Sequence, residues 1–309
     1  MISIFLQTLP FFALIGCGYL AARWRFFPAE AAAILSRFVF YFALSAMLLR
    51  LGATLPFDAI WRPDFLLAYG LACGVLYGGT FVLARLRGEA TALATFEAHL
   101  SVTGNAGCLG RPLFVALFGV AAAGPLMASI SLDLVVFGGL TVFLIELNRG
   151  KRTGVAAIAT AASGLVRNPM FVSVVAGLIW SRLGLPWPDV LDQFTATLGA
   201  AATPCALFAI GCSLTQQSAD ERLGTAIWLS VLKLAAHPAL VAISMLVIFD
   251  IEPFYAAMAI AAASLPAAGN VFILAQNYGV AVQRVSGTIL VSTVLSVVSV
   301  TLILAILPL

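Results

Sequence analysis

Residues 103–113 read Thr103-Gly104-Asn105-Ala106-Gly107-Cys108-Leu109-Gly110-Arg111-Pro112-Leu113, in the middle of an apolar run from 90 to 118. A second apolar run, 253–279, contains Ser264-Leu265-Pro266-Ala267-Ala268-Gly269-Asn270-Val271-Phe272. Glycine lacks the side chain that restrains a helix, and proline lacks the N–H that a helix needs, so each stretch predicts a local break. Both runs are longer than one straight membrane crossing of about 20 residues. We therefore expect two interrupted membrane helices.

The composition is that of a membrane protein. Hydrophobic residues make up 62% of the 309 residues and charged residues only 9%, and the mean hydropathy is +1.08. Soluble domains carry about 25% charged residues, so a water-soluble fold of this length is excluded. An outer-membrane barrel would show alternating segments of about ten residues, whereas these apolar runs are long and continuous. We predict an all-α integral membrane protein.

The cysteines do not indicate a metal site. No CxxC pair occurs, and all five lie inside apolar stretches, namely Cys17, Cys73, Cys108, Cys205 and Cys212. This pattern argues against disulfides and zinc, and we expect neither a metal nor a cofactor.

Ten membrane spans are predicted along the chain. They cover about 3–22, 34–52, 65–84, 90–118, 124–147, 164–182, 195–214, 225–249, 253–279 and 285–308. No Lys or Arg precedes the first apolar run, whereas Arg23 and Arg25 follow it, the reverse of a signal peptide. The first span is therefore expected to be retained as a helix.

The distribution of positive charge predicts the orientation. Most basic loop residues follow the odd-numbered spans: Arg23, Arg25, Arg85, Arg87, Arg149, Lys151, Arg152, Arg222 and Arg284. The loops on the other side hold Arg50, Arg62 and Arg182. Because positive loops stay in the cytoplasm, we expect both termini on the outer, periplasmic side of a bacterial inner membrane.

An internal repeat is predicted. A shift of 159 residues places Pro10 on Pro169, Phe12 on Phe171, Gly18 on Gly177, Gly52 on Gly211 and Leu55 on Leu214, and a shift of 160 superimposes the two breaks. Because each copy has an odd number of spans, the second copy must be inverted in the membrane. Residues 1–150 and 151–309 are thus predicted as two inverted five-span repeats, an architecture common in secondary transporters.

The breaks also predict a kind of chemistry. A half-helix that restarts after a break presents free N–H groups and the positive end of its dipole, which favours an anion such as a carboxylate. Asn105 and Asn270 add amide donors at no cost of burying a formal charge, and Arg111 could neutralise a second carboxylate. The alternative is that these glycines and prolines are packing kinks, since both residues are frequent in membrane helices.

Residues 104–113 and 266–275 resemble the paired crossover helices of the auxin efflux carrier family, which includes plant PIN carriers and bacterial permeases named for malonate or malate. The resemblance implies a ten-helix fold related to the bile-acid sodium symporters. It implies a scaffold domain of about 1–55 and 164–214, and a crossover transport domain of about 64–147 and 225–309. It assigns substrate binding to Asn105 and Asn270, with Pro112 and Pro266 setting the breaks. The complete predicted binding set is Asn105, Gly107, Gly110, Arg111, Pro112, Pro266, Gly269 and Asn270.

Ionisable residues inside predicted spans are few and are candidates for a charge relay. Apart from Arg111 and the residues at span ends, they are Glu97, His99, Asp133, Lys233 and His237. A titrating carboxylate or histidine could couple substrate movement to a proton. The alternative is a buried ion pair that only orients helices, for instance Lys233 with Asp133 or Glu97.

The expected function is secondary active transport of small mono- or dicarboxylates by alternating access. The partners would be a small organic anion, the lipid bilayer, and a proton or a sodium ion, with a homodimer left open and no nucleic acid. A sodium-coupled symporter of the bile-acid type is the nearest alternative, followed by a membrane sensor. An intramembrane enzyme is disfavoured, because neither an HExxH motif nor a cluster of histidines occurs.

Overall fold

The structure is a computed structural model that describes residues 2–149, 155–215 and 223–307. Within these ranges the chain is helical apart from turns and one isolated β-bridge. In chain order the helices are α1 (Ile2–Arg23), α2 (Ala31–Thr54), α3 (Pro63–Leu86), α4 (Thr91–Val102), α5 (Arg111–Phe118), α6 (Ala123–Arg149), α7 (Val155–Arg167), α8 (Pro169–Arg182), α9 (Asp189–Leu214), α10 (Leu223–Ile248), α11 (Pro253–Ala263), α12 (Gly269–Tyr278) and α13 (Val282–Ile306).

Six of these helices are long and apolar enough to cross a membrane, judged over the described ranges by length and composition alone. They are α2, α3, α6, α9, α10 and α13, of 24 to 27 residues each. Each coincides with one predicted span. The all-helical, membrane-type architecture predicted from the composition is thereby confirmed. The basic residues Lys151, Arg152 and Arg222, on which the predicted orientation partly rests, lie outside the described residues.

The two remaining long apolar runs are interrupted at the stretches quoted above. Helix α4 ends at Val102, and the chain restarts as a π-helical turn, Ala106–Gly110, that leads into α5. Helix α11 ends at Ala263, and α12 begins at Gly269. Helix α12 ends at Tyr278, and the following Gly279 adopts the left-handed conformation (φ 65°) that glycine accommodates without strain.

A third interruption was not predicted. The sixth span was placed at 164–182, but α7 ends at Arg167 and α8 begins at Pro169. Asn168 lies between them, and its Oδ1 accepts hydrogen bonds from the N–H groups of Met170 (3.0 Å) and Phe171 (3.3 Å). An asparagine N-cap followed by proline at the first helical position is a standard helix start.

Glycines allow two pairs of helices to pack backbone against backbone. Helix α1 lies against α9, where a Cβ on Gly18 would stand 2.1 Å from the Phe208 carbonyl oxygen, and one on Gly211 would stand 2.0 Å from that of Ile15. Helix α2 lies against α8, where a Cβ on Gly52 would approach the Cα of Gly177 to 3.0 Å. Close approach at small residues is how membrane helices associate without a hydrophobic driving force.

The core of the molecule lies around the broken helices. Residues 256–263 of α11 are all buried, as is most of α12. At one edge of this core the buried Glu97 of α4 accepts hydrogen bonds from Arg87 and Arg284, and Arg284 also donates to Glu89 at 3.0 Å. This charged group ties the start of α13 to α4.

Candidate functional site

The two breaks meet each other. Gly104 and Ala267 form an antiparallel β-bridge. The Asn105 N–H donates to the Pro266 carbonyl oxygen at 2.8 Å, and the Ala268 N–H donates to the Thr103 carbonyl oxygen at 3.2 Å. Backbone groups that the interrupted helices leave free are therefore paired with each other, which is how irregular backbone can be held at membrane depth.

Gly104 is required by this close approach. A Cβ there would lie 3.1 Å from the Ala262 carbonyl oxygen and 3.3 Å from the Lys233 ammonium nitrogen. The side chain of Lys233 is fully buried. Its nitrogen donates to the Ala263 carbonyl oxygen at 2.6 Å and lies 3.0 Å from Nδ1 of His237. The ammonium group thus sits at the carboxyl end of α11, where the helix dipole favours a positive charge.

A cavity opens beside the crossing, and we call it the crossing cavity. One wall comes from the two breaks and from α6: Thr103, Gly104, Asn105, Gly107, Ile130, Asp133, Leu134, Ala268, Gly269, Asn270 and Ile273. The other wall comes from α2 and α9: Val39, Leu44, Met47, Leu48, Leu51, Ala202, Thr203, Ala206 and Leu207. The cavity is mostly apolar, with its polar groups concentrated at the breaks.

The amino ends of both restarted helices face the crossing cavity. Gly107 lies in the first turn after one break, and Gly269 opens α12 after the other. Neither helix start has a side-chain cap among the described residues. The first N–H groups of a helix have no partner within the helix, so two sets of donors and two positive dipole ends converge on one cavity.

Both predicted asparagines line this cavity. Asn105 directly precedes the first restarted helix, which begins at Ala106. Asn270 is the second residue of α12, the other restarted helix. The Oδ1 atom of Asn270 is buried without a hydrogen-bond partner among the described residues. Amide oxygen and nitrogen can exchange places by rotation, so either end of this group can meet a ligand.

The other members of the predicted binding set are placed differently. Gly107 and Gly269 line the crossing cavity, whereas Arg111 is not among its lining residues. Gly110 packs against Leu265, whose Cδ1 would lie 2.5 Å from an added Cβ. Pro266 contributes its carbonyl oxygen to the pairing of the breaks, and Pro112 stands in the first turn of α5.

Three of the charge-relay candidates lie together next to the crossing. Asp133 is 2% exposed and begins a π-helical turn of α6. Its carboxyl group interacts with the Gly104 backbone, with the side chain of Tyr69 and electrostatically with Lys233. His237 joins them through Lys233, and its Nε2 lies 3.2 Å from the Cys73 sulfur. The structure thus brings Asp133, Lys233 and His237 into one buried cluster.

The remaining two candidates lie elsewhere. Glu97 is held by Arg87 and Arg284 rather than by Lys233, which fits a part in holding helices together. His99 is buried, with its Nδ1 3.4 Å from the Thr103 hydroxyl oxygen. It lines a smaller cavity that it shares with Asn168 and Asn270.

Sequence reasoning missed several polar groups of this region. Thr103 and Thr203 line the crossing cavity, and Tyr69 contacts Asp133. Thr103 directly precedes the first break, so its position was a usable signal. Nothing in the sequence distinguishes Thr203 or Tyr69 from the many hydroxyl residues of membrane helices.

Known proteins match this chain over nearly its whole length. The model of the family described as "Membrane transport protein" matches residues 3–304. The chain is 32% identical over 296 residues to a Rhizobium meliloti (strain 1021) protein named "Putative malonate transporter", covering 95% of this chain and 92% of that protein. It is 24% identical over 334 residues to "Auxin efflux carrier component 8" of Arabidopsis thaliana, covering 90% of each.

Proposed function

This chain belongs to the membrane transport protein family of the auxin efflux carriers, and from this premise we propose that it is a secondary active transporter of small organic anions. Family membership confirms the resemblance read from residues 104–113 and 266–275, and with it a multi-pass membrane transporter. The observation that carries the finer proposal is the crossing cavity. Two uncapped helix starts and two asparagines converge there, a set of donors suited to a carboxylate.

The proposed substrates are mono- or dicarboxylates of about the size of malonate. The printed name of the Rhizobium meliloti relative supports this class. A binding role for Asn105 and Asn270, with Gly107 and Gly269 allowing close approach of the backbone, is part of the proposal. Arg111 is a weaker part of it, because the residue does not line the crossing cavity.

The proposed architecture is ten spans in two inverted repeats, 1–150 and 151–309. The glycine contacts support it. The shift that places Gly18 on Gly177 also places Gly52 on Gly211. The α1–α9 packing at Gly18 and Gly211 therefore has its counterpart in the α8–α2 packing at Gly177 and Gly52.

The proposed mechanism is alternating access of the elevator type. Helices α2 and α9 would form part of the scaffold and line one wall of the crossing cavity, while the crossover domain forms the other. Movement of the crossover domain against this wall would expose the carboxylate to each side of an inner membrane in turn, with both termini on the periplasmic side.

The coupling ion is proposed to be a proton, with Asp133, Lys233, His237, His99 and Glu97 as candidates. The alternative is coupling to sodium, as in a symporter of the bile-acid type. Counterflow with imposed pH or sodium gradients separates the two, because only the coupling gradient should drive accumulation.

The site is tested by counterflow of labelled malonate into proteoliposomes. We expect Asn105→Ala and Asn270→Ala each to lower the rate at least about tenfold, the effect of one lost charge-assisted hydrogen bond. The matched control is Gln276→Ala, because Gln276 lies on the same helix as Asn270 but does not line the crossing cavity. Flux that survives in both variants would contradict the site, and absence of flux for every carboxylate in a panel would contradict the transporter itself.

A further inference from the structure

Asp133 lies at the crossing cavity and has an unused hydrogen-bond acceptor. The residue is 98% buried, since its relative exposure is 2%, and it lines the cavity together with Asn105 and Asn270. Its Oδ1 atom has no hydrogen-bond partner among the described residues. A buried polar atom without a partner is costly and calls for an explanation. A ligand in the cavity would supply one.

The chemistry of this atom narrows the ligand. The Oδ1 atom of Asp133 has no donor among the described residues, and a carboxylate oxygen accepts hydrogen bonds, so a ligand group that donates one would satisfy it. Asn270 is less selective, because its amide can turn either end to a ligand. The two helix starts and the asparagine N–H groups meet a carboxylate, and Asp133 meets a donor. The cavity is therefore built for a ligand that carries both.

The charges lead to the same ligand. Asp133 and the buried Lys233 interact as groups of opposite charge, so the pair contributes no net charge, whichever of the two holds the proton between them. Each helix start is equivalent to about half a positive charge, so the two together balance about one negative charge. Arg111 does not line the cavity and cannot be counted toward a second. A monoanion is matched, whereas a dianion would leave one charge uncompensated.

We propose that the crossing cavity selects monoanions that carry a hydrogen-bond donor at the end opposite to the carboxylate. Asp133 is the residue that accepts the hydrogen bond from this donor. Half-protonated dicarboxylates and short hydroxy acids form this class. The inference rests on the proposed function, because it assigns the substrate class of the same site. The titratable groups around Asp133 are Tyr69 and Cys73 on α3, Lys233 and His237 on α10, and His99 on α4.

The test compares two ligands of nearly the same shape as competitors of labelled malonate counterflow at equal pH on both sides. They are 3-hydroxypropanoate, which has a donor, and 3-fluoropropanoate, which has none. In the wild-type protein we expect the hydroxy acid to compete about tenfold better, the effect of one hydrogen bond to a charged group. In Asp133→Ala the ratio should fall to about one, and in Asp133→Asn, which keeps a carbonyl acceptor, it should stay above one.

The outcomes separate this inference from the proposed function. Equal competition in the wild-type protein would overturn the inference and leave carboxylate transport standing. A wild-type preference that persists in Asp133→Ala would overturn the assignment to Asp133. If Asp133→Ala does not fold, the double variant Asp133→Leu with Lys233→Met takes its place, because it removes the acceptor and leaves neither charge alone, and its ratio should also be about one. Failure of every carboxylate to compete would contradict the proposed function and this inference with it.

Discussion

The two breaks look alike in sequence but are held by different partners. The second break, 264–268, is anchored from α10 and α13: Lys233 donates to the Ala263 carbonyl oxygen, and the Ala267 N–H donates to the Ser292 hydroxyl oxygen at 3.1 Å. The first break, 103–105, meets Asp133 of α6 at the backbone of Gly104. A cation therefore stands at the end of a helix before one break, and an anion stands beside the other.

This difference shows how a nearly symmetric crossing can hold an asymmetric ligand. Each charge complements the local backbone: an ammonium group suits the carbonyl end of α11, and a carboxylate suits a free backbone N–H. The two charges also compensate each other electrostatically. The groups left to bind a ligand are the two helix starts on one side and the unpartnered Oδ1 atom of Asp133 on the other.

The largest effect is expected at the cation. Lys233→Met should destabilise the protein by about 3–5 kcal/mol, because it leaves the buried Asp133 carboxylate without its compensating charge. The measurement is the thermal transition of purified protein in detergent. The double variant Lys233→Met with Asp133→Asn should recover part of the loss, because neither charge is then left alone although the Ala263 carbonyl oxygen still lacks its donor. A double variant as unstable as the single one would show that the two groups are not coupled.

A smaller effect is expected at the anchor of the second break. Ser292→Ala leaves the Ala267 N–H without a partner, which costs about 1–3 kcal/mol for a buried donor. Ser299→Ala on the same helix is the matched control, because the Ser299 hydroxyl is buried and forms no hydrogen bond among the described residues. Thermal transitions of the two variants that coincide would contradict the role of Ser292.

The smallest effect on stability is expected at the first break. Gly104→Ala should cost about 1 kcal/mol, the lower end for overpacking, because the flexible end of Lys233 can move away while the Ala262 carbonyl has less freedom. Malonate counterflow should fall, since the methyl group pushes on the pairing of the breaks. Gly78→Ala in α3 has open space around the added methyl group and should leave transport unchanged. Wild-type flux in Gly104→Ala would show that the close approach is not needed.

Much of this arrangement could be predicted from the sequence. Glycine, proline and asparagine in two long apolar runs indicated where the helices stop, since these residues act through local backbone chemistry. The glycines that pack α1 on α9 and α2 on α8 were the same ones that matched under the shift of 159 residues. The helix breaks and the packing glycines could both be predicted from the spacing of residues, because each depends on positions within a single helix.

The partners of the breaks could not be predicted in the same way. Lys233 and His237, four residues apart, were expected on one helix face, but which carboxylate they would meet depends on how α6 and α10 rotate in the packed molecule. For the same reason Glu97 was found with Arg87 and Arg284, and Arg111 was found away from the crossing cavity. The break at Asn168 has a local signal in the sequence, asparagine followed by proline.

Binding of one carboxylate at the crossing can be seen in an experimental structure with bromomalonate bound, because the bromine can be located by its anomalous scattering. We expect the ligand in the crossing cavity, with a carboxylate oxygen within hydrogen-bonding distance of the helix starts at Gly107 and Gly269. The polar cavity formed by Tyr41, Glu146, Arg149, Arg167 and Asn277 offers a competing place for an anion. Bromine found there, with the crossing cavity empty, would contradict the account.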